Sequence, residues 1–417
     1  MFYQKTVLSN GITIITEHLD SVRSIALGLW FHVGSRDEEP QEAGLSHFLE
    51  HMMFKGTKKR SAQDISEEFE AMGAEFNAFT SKEVTCYHAR FAQDKLEGAL
   101  DILSDMVVNS QFKNEDIVLE REVVLEEIAR SNDTPDDVVF ELFSDAIFPK
   151  HPLGKPVLGD SEIIASVEHE QVDAYHKKYY HSANMVVAAA GAVDHEKLVE
   201  LCENYFEAMP NGIRQERKLL KSNDFKKLVS VQKDTEQVQI CLGFESISKD
   251  DSRTKVAALI DSILGGGMSS RLFQEVREKR GLAYSVSSFS QRYEDTGMFC
   301  VYAGTRPDNV QEVIEIAKRE LLKIAEEKVP QNELERVHEY IIGLLTLRLE
   351  STQSHMSKLG SLEVIGTKIE SFDEVVEGYR AINQEDILKL AQELYAQSPS
   401  IALVTPRDFK GAESLHD

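Results

Sequence analysis

The residues with the clearest capacity for chemistry are two histidines and a glutamate within one short stretch. His47 and His51 lie four positions apart, so on a helix their imidazoles would project from one face, with Glu50 beside them. Two imidazoles at this spacing can reach one tetrahedral Zn²⁺ at about 2.0–2.1 Å each. The order H-x-x-E-H inverts the H-E-x-x-H zinc motif and predicts two histidine ligands and a glutamate base. A helix with two ordinary histidines is the alternative, because so short a pattern also arises by chance.

A third ligand should come from elsewhere in the chain, because a catalytic zinc site usually has three protein ligands. The segment 117–128 offers Glu120 and Glu127, which are seven residues apart and therefore share one face of a helix. Carboxylates at the margin of an apolar stripe are costly unless a cation compensates them, and a zinc ion would do so. The alternative is a solvated acidic face, which suits Glu122 and Glu126 better than the other two.

This constellation resembles the pitrilysin family, which includes pitrilysin, insulin-degrading enzyme and the mitochondrial processing peptidase. The resemblance rests on His47-Phe-Leu-Glu50-His51, on Glu127 at 76 positions after His51, and on Glu120 seven positions before Glu127. It implies one Zn²⁺ per chain, held by His47, His51 and Glu127, with Glu50 activating the water. Glu120 would orient a ligand and tune its charge without binding the metal itself.

The resemblance extends over nearly the whole chain, to the segments 73–80, 151–159, 180–191, 265–273 and 277–284. In the last of these, Arg277 offers a charged fork of donors to carbonyl groups, and the hydroxyl of Tyr284 can donate to a developing oxyanion. In the family these two residues belong to a domain without zinc that closes over the catalytic one. The alternatives are a helix-surface arginine and a core tyrosine.

Substrate binding is predicted at a strand that follows the zinc motif. Asn77, Ala78 and Phe79 belong to a strand that we expect at the edge of a sheet. There, unpaired N–H and C=O groups can accept an extended peptide as a further strand. Phe48 and Phe54 flank the motif and would line pockets for the side chains of the peptide. Both phenylalanines suit a hydrophobic core equally well.

The elements that must position these residues follow from the hydrophobic pattern. Asn10-Gly11 favours a tight turn between strands at 5–9 and 12–17, and a further strand pattern covers 24–33. The period becomes helical from Gly44, which predicts a helix through the two histidines. Later helices are predicted at 62–72, 94–109, 114–130 and 171–179, and later strands at 75–80, 85–91 and 184–192.

The chain divides into two halves that look alike. A polar stretch at 213–227 is the predicted linker between a catalytic domain at 1–212 and a second domain at 228–417. In each half a strand leads to a helix and then to Asn-Glu before another helix, at positions 114 and 332, which indicates an internal duplication. The alternative is that the two halves have a common α+β order of elements by chance. The resemblance implies an α+β fold in which each half is a largely antiparallel sheet packed with helices, related by pseudo-twofold symmetry.

Composition excludes several functional classes. The 417 residues include 46 Lys and Arg against 71 Asp and Glu, and a net charge of −25 argues against binding to nucleic acid. Four cysteines far apart in the sequence predict no disulfide framework. We find neither a signal-peptide pattern nor an apolar run long enough to span a bilayer. We therefore expect a soluble, cytoplasmic protein without a membrane partner.

The motif and the resemblance together predict a zinc metalloendopeptidase that cleaves short or unfolded peptides. The long single-chain members of the family have four such domains and this chain has two, so we expect a homodimer that encloses a chamber. Since one chain carries both the zinc motif and the pair Arg277 and Tyr284, each active site is expected to be a composite of two protomers. The alternative is a noncatalytic scaffold or partner subunit with the same fold.

Overall fold

A computed structural model describes residues 2–220 and 225–409 of the chain. These residues form two compact units, and each unit takes segments from both halves of the sequence. Unit 1 is drawn from Met1–Ala129, Pro156–Arg217 and Leu347–Ile369, and unit 2 from Arg130–Lys155, Lys218–Thr346 and Glu370–Asp417. The predicted domains, 1–212 and 228–417, refer to sequence halves and stay a prediction, because the compact units are a different division. In the predicted linker 213–227, residues 221–224 lie outside the described part of the chain.

Unit 1 is built on a six-stranded sheet. Its strands are β1 (Gln4–Val7), β2 (Thr13–His18), β3 (Ser24–Phe31), β4 (Glu75–Thr80), β5 (Thr85–Ala92) and β6 (Met185–Gly191). Their order across the sheet is β1-β2-β6-β3-β5-β4, and all neighbours are antiparallel except β2 and β6. In the central strand β3, Leu27 and Leu29 pack in one core while Ala26 and Trp30 pack in another. This strand therefore buries both faces, because helices cover both sides of the sheet.

Unit 2 is built on a five-stranded sheet with an equivalent plan. Its strands are β7 (Leu228–Lys233), β8 (Val238–Ser246), β9 (Ala283–Arg292), β10 (Gly297–Thr305) and β11 (Ser400–Pro406). Their order is β7-β11-β8-β10-β9, and only β7 and β11 are parallel. This order repeats β2-β6-β3-β5-β4 strand for strand, with the parallel pair in the same place. The shared topology supports the predicted internal duplication, and two largely antiparallel sheets packed with helices confirm the predicted α+β class.

Helices lie in both halves of the sequence. In the first half they are α1 (Leu45–Met52), α2 (Ala62–Ala71), α3 (Leu96–Asn109), α4 (Asn114–Asp133), α5 (Pro135–Ile147), α6 (Ser161–Ala165), α7 (His169–Tyr179) and α8 (His195–Tyr205). In the second half they are α9 (Thr254–Leu264), α10 (Val310–Glu326), α11 (Gln331–Arg348), α12 (Thr352–Ile365), α13 (Phe372–Arg380) and α14 (Gln384–Tyr395). Among the described residues, none of these helices has the length and apolar character needed to cross a membrane.

Two helices at corresponding places in the halves are exchanged between the compact units. α12, from the second half, packs in unit 1 against β2, β3 and β6. α5, from the first half, packs in unit 2 against β7, β8 and β11. The apolar residues of each helix complete a core on one face of its sheet, and this explains why compact units and sequence halves differ.

α12 lies close to the sheet of unit 1 because one of its glycines meets the one tryptophan of the chain. Trp30 Nε1 donates to Met356 Sδ at 3.3 Å. A Cβ atom added at Gly360, in the same helix, would lie 2.1 Å from Trp30 Nε1. The glycine therefore allows the helix backbone to pack directly against the indole ring.

We predict that Gly360→Ala lowers the thermal unfolding midpoint, with a loss of roughly 1–3 kcal/mol that is typical of overpacking a tight core. The matched control is Gly343→Ala in α11, where an added Cβ meets nothing within 4 Å. That change removes a helix-interior glycine and should stabilise by up to roughly 1 kcal/mol. Calorimetry of both variants checks the pair. Equal or higher stability of Gly360→Ala relative to wild type would contradict the proposed contact.

Candidate metal centre

The predicted zinc motif lies on α1, which a half-buried carboxylate holds at its N-terminus. Glu38 Oε2 accepts a hydrogen bond from the amide of Gly44 at 2.8 Å, and Oε1 accepts one from the amide of Ser46 at 2.7 Å. Amides in the first turn of a helix lack partners within the helix, so Glu38 satisfies two of them. Burial raises the pKa of Glu38 to about 8, and the two amide hydrogen bonds oppose that rise. The start of the motif helix is therefore fixed from outside the helix.

α1 turns one face to the core of unit 1 and presents its histidines on another. Phe48, Leu49 and Met52 are buried in the core. His47 and His51 lie together on the face toward α4, with ring centroids 4.6 Å apart and ring planes at 66°. The predicted helix and the predicted pairing of the two imidazoles are thus both present.

α4 brings a carboxylate oxygen to the two imidazoles. Glu127 Oε2 lies 3.6 Å from Nε2 of His47 and 3.6 Å from Nε2 of His51. These separations exceed hydrogen-bond length, but they are close to the roughly 3.3 Å between neighbouring ligand atoms around a tetrahedral zinc with bonds near 2.0–2.1 Å. Within residues 2–220 and 225–409, His47, His51 and Glu127 are the one group of three or more His, Cys, Asp or Glu side chains whose possible ligand atoms all lie within 4.8 Å of one another. Two imidazole nitrogens and one carboxylate oxygen are a donor set that suits Zn²⁺.

Glu120 contacts the predicted ligand His51 and is not one of the three residues whose ligand atoms converge. Its Oε1 accepts a hydrogen bond from Nδ1 of His51 at 2.7 Å, and its side chain is only 3% exposed. The Oε2 atom forms a short ion pair with Lys55 Nζ. A proton held on Nδ1 leaves Nε2 of His51 free to bind a metal. The geometry therefore fits the predicted orienting role of Glu120.

The pKa values of the two histidines are shifted in opposite directions. Burial, with a smaller contribution from nearby His51, lowers the pKa of His47 to about 4, so its imidazole is neutral near pH 7. Burial also lowers the pKa of His51, but the hydrogen bond and negative charge of Glu120 outweigh it and the net change is upward. Burial raises the pKa of Glu120, yet hydrogen bonds from His51 and Lys55 outweigh that effect and lower it. Glu120 is therefore an anion that polarises the His51 ring.

Glu50 lies on the same helix and has a different environment. Its Oε2 accepts a hydrogen bond from the hydroxyl of Thr80 at 2.5 Å. Burial raises the pKa of Glu50, while the Thr80 hydrogen bond and the positive charge of His51 oppose the rise. A carboxylate with a raised pKa can accept a proton and later release it, which is what a general base must do.

The predicted substrate strand is an edge strand. Asn77, Ala78 and Phe79 lie in β4, the last strand of the unit 1 sheet. Phe79 is 38% exposed and packs edge-on against Trp30. For Phe48 the pocket-lining expectation is wrong in this structure, since its side chain is completely buried in the core.

Phe54 is half-buried, and its ring lies 6.1 Å from the ring of Phe76 and 6.3 Å from that of Tyr87. These contacts place it against the core of unit 1. A role of Phe54 in lining a substrate pocket stays a prediction.

Arg277 and Tyr284 lie together in unit 2. The guanidinium of Arg277 stacks 4.2 Å above the ring of Tyr284 and donates to the Tyr284 carbonyl oxygen at 3.3 Å. Tyr284 is 75% exposed, so the alternative of a core tyrosine is wrong. Both side chains are thus presented as a unit at the protein surface.

Three residues that shape the site were missed by sequence reasoning. Lys55 lies three residues beyond the end of α1, so helical periodicity does not place it near Glu120. Thr80 ends a correctly predicted strand, but only the packing of the sheet against α1 shows that it reaches Glu50. Glu38 precedes the helix in an irregular segment, where no periodic signal exists.

Two protein-family models match the chain. The model described as Insulinase (Peptidase family M16) matches residues 13–161, and the model described as Peptidase M16 inactive domain matches residues 166–340. The candidate metal ligands and Glu50 all lie within the first match. The second match lies mostly in the half that supplies Arg277 and Tyr284.

Several relatives that carry the name uncharacterized zinc protease match over nearly their whole length. The Streptomyces coelicolor protein is 40% identical over 99% of this chain and 92% of its own. The Bacillus subtilis protein is 39% identical over 95% of this chain and 97% of its own. The Mycobacterium tuberculosis protein is 36% identical over 98% of this chain and 94% of its own.

Two solved structures share the fold. A protease from Helicobacter pylori aligns with a TM-score of 0.89 and 22% identity, covering 97% of this chain and 99% of that one. A peptidase M16 inactive domain from Pseudomonas fluorescens aligns with a TM-score of 0.91 and 20% identity, covering 97% and 98%. Likeness at these identities concerns the fold alone, which it confirms.

We predict that Glu127→Gln loses zinc at chelator concentrations where Glu120→Gln retains it. A neutral amide oxygen is a poorer zinc ligand than a carboxylate, whereas changes that act through another ligand typically cost about 10–100-fold in affinity. Zinc content after dialysis against graded chelator provides the measurement. Glu126→Gln, at an exposed neighbouring position on α4, is the matched control and should behave as wild type. Equal zinc retention by Glu127→Gln and Glu120→Gln, or the reverse order, would overturn the assignment.

Proposed function

The chain belongs to the insulinase family of peptidases, family M16, and we propose on that premise that it is a zinc-dependent metalloendopeptidase. The observation that carries the proposal is the convergence of Nε2 of His47, Nε2 of His51 and Oε2 of Glu127 within 4.8 Å of one another, with Glu50 on the same helix as the histidines. The names of the relatives support zinc and proteolysis. An intact ligand set in this chain is what such an activity requires.

His47, His51 and Glu127 would hold the metal, and the neutral state of His47 and the Glu120 contact to His51 prepare both imidazoles for that role. When bound, Zn²⁺ supplies Lewis acidity that polarises a carbonyl group and acidifies water. Glu50 takes a proton from the attacking water and then gives a proton to the departing amine. Its raised pKa suits both steps, because the carboxyl group must hold the proton between them.

Peptide substrates would pair with the free edge of β4. An extended chain added there makes backbone hydrogen bonds at Asn77, Ala78 and Phe79, and such pairing requires little particular sequence. Folded proteins have few free extended segments, so short or unfolded peptides are the substrates that this mode favours. Arg277 and Tyr284 would add donors for substrate carbonyl groups or a developing oxyanion.

The noncatalytic alternative has less support. The name inactive domain belongs to the family model that matches residues 166–340, and none of His47, Glu50, His51 or Glu127 lies in that range. A chain that served only as a scaffold would have no need for the aligned ligand atoms described above. The name instead fits a chain in which the first half of the sequence binds the metal and the second half does not.

The assembly that we propose is a homodimer with composite active sites. The metal ligands belong to unit 1 and the pair Arg277 and Tyr284 to unit 2. In a symmetric dimer, unit 1 of one protomer would face unit 2 of its partner and enclose a chamber that admits peptides.

We predict that Glu50→Gln keeps its zinc and loses most peptide cleavage, because the amide does not accept the proton. Turnover of an internally quenched peptide and zinc content are measured on the same preparation. The control is wild-type protein after chelation and after zinc is restored, which should lose and regain activity. Wild-type rates in the purified variant, or full activity after exhaustive chelation, would contradict the mechanism.

A mixing experiment tests the composite site. One inactive variant carries Glu50→Gln, and the other carries Arg277→Ala with Tyr284→Phe. Random subunit exchange makes about half of the dimers mixed, and each mixed dimer has one site with both lesions and one with neither, so recovery should approach about a quarter of wild-type activity. Activity no higher than that of the separate variants, with exchange confirmed by mass spectrometry of tagged chains, would exclude this arrangement.

A further inference from the structure

The carboxylate of Glu50 has one hydrogen-bond donor in the described part of the chain, the hydroxyl of Thr80. The donor oxygen lies 2.5 Å from Glu50 Oε2. A hydrogen bond to a carboxylate is among the stronger contacts in a protein. It fixes Oε2 and leaves Oε1 as the oxygen that can exchange a proton with water.

Thr80 reaches Glu50 because of its place on the strand. It is the last residue of β4 and pairs with Thr85 of β5. Side chains alternate along a strand, so Thr80 shares a face with Phe76 and Ala78, which pack against the core that contains α1. Phe79 points to the opposite face, where it contacts Trp30. One strand therefore presents its free edge to a peptide and its inner face to the base.

The turn that follows Thr80 is held in place by backbone contacts. The amide of Ser35 donates to Ser81 O at 3.1 Å, and the amide of Arg36 donates to Lys82 O at 2.7 Å. A Cβ added at Gly34 would lie 2.3 Å from Ser81 O, so the two segments approach as closely as glycine allows.

A buried ion pair fastens the same turn. Arg36 Nη1 donates to Glu83 Oε1 at 2.7 Å, and both side chains are 2% exposed. Breaking one partner of such a pair leaves a buried charge, so the pair resists displacement. The hydroxyl of Thr80 thus lies next to a turn that backbone hydrogen bonds and a buried ion pair hold in place.

We propose that Thr80 is a positioning residue that sets the orientation of the general base Glu50. The inference rests on the proposed function. Because positioning errors near 1 Å can reduce a rate by about 100-fold, a base held by a single hydrogen bond depends strongly on that bond. Because the same strand has the free edge where a peptide would pair, the alignment of the peptide and the orientation of the base share one rigid support.

A purely structural role for Thr80 makes a different prediction. If the hydroxyl only stabilised the β4–β5 hairpin, its loss would lower stability and affect activity no more than loss of a similar bond nearby. Thr85 provides that comparison, because its hydroxyl donates to Val33 O at 2.9 Å in the same hairpin and is fully buried.

The experiment compares Thr80→Val, Thr80→Ser and Thr85→Val in zinc-loaded full-length protein, with quenched-peptide kinetics, zinc content and thermal midpoints measured for each. Thr80→Val keeps the shape of the side chain and removes the donor, so kcat should fall by at least about tenfold while KM and zinc content stay near wild type. Thr80→Ser keeps the donor and should recover most of kcat. Thr85→Val should lower the thermal midpoint and leave kcat within about twofold of wild type.

The outcomes separate this inference from the proposed function. If wild-type protein cleaves the peptide with zinc but Thr80→Val has wild-type kcat, the role of Thr80 is wrong while the peptidase assignment stands. A kcat loss in Thr80→Ser as large as in Thr80→Val, or an equal loss in Thr85→Val, would likewise reject positioning by the hydroxyl. If wild-type protein has no zinc-dependent cleavage, the proposed function is wrong, and the role of Thr80 in positioning a general base is wrong with it.

Discussion

The hydrogen bond from Nδ1 of His51 to Glu120 is the contact on which the candidate site depends. At 2.7 Å it joins α1, which carries both histidines, to α4, which carries Glu127. It also decides the tautomer of His51, because a proton on Nδ1 leaves Nε2 as the free donor atom. The distances of 3.6 Å from Glu127 Oε2 to the two Nε2 atoms follow from this junction of two helices. The same two helices supply all three candidate ligands.

A site of this kind is expensive to bury, and the surrounding residues show how the cost is offset. Glu120 is nearly inaccessible to water, and Lys55 supplies the opposite charge that keeps it ionised. Glu38 lies under the start of α1 and satisfies helix amides that would otherwise lack partners. Glu127 is the exception, since its side chain is 44% exposed. The exposed side of the site, at Glu127, is where a substrate and water must enter. The difference between the buried Glu120 and the exposed Glu127 therefore agrees with the proposed chemistry.

The sequence predicted the local elements well, because helices and strands follow periodic patterns. The predicted bounds of β4 match the observed ones, and α4 ends three residues later than predicted. Patterns could not show the exchange of α5 and α12, since a buried apolar face does not specify which sheet covers it. The burial of Phe48 was also undecided, because a phenylalanine beside a motif suits a core or a pocket equally. Contacts such as Thr80 with Glu50 join segments 30 positions apart and depend on how a sheet packs on a helix.

The central claim is that two imidazoles and a carboxylate hold one zinc ion. Zinc K-edge X-ray absorption on the purified, metal-loaded protein tests it most directly. We expect two imidazole ligands with nitrogen and oxygen neighbours at about 2.0–2.2 Å, and no sulfur. A sulfur neighbour near about 2.3 Å would point to cysteine instead. That result, or a spectrum with fewer than two imidazoles, would contradict the site described for His47, His51 and Glu127.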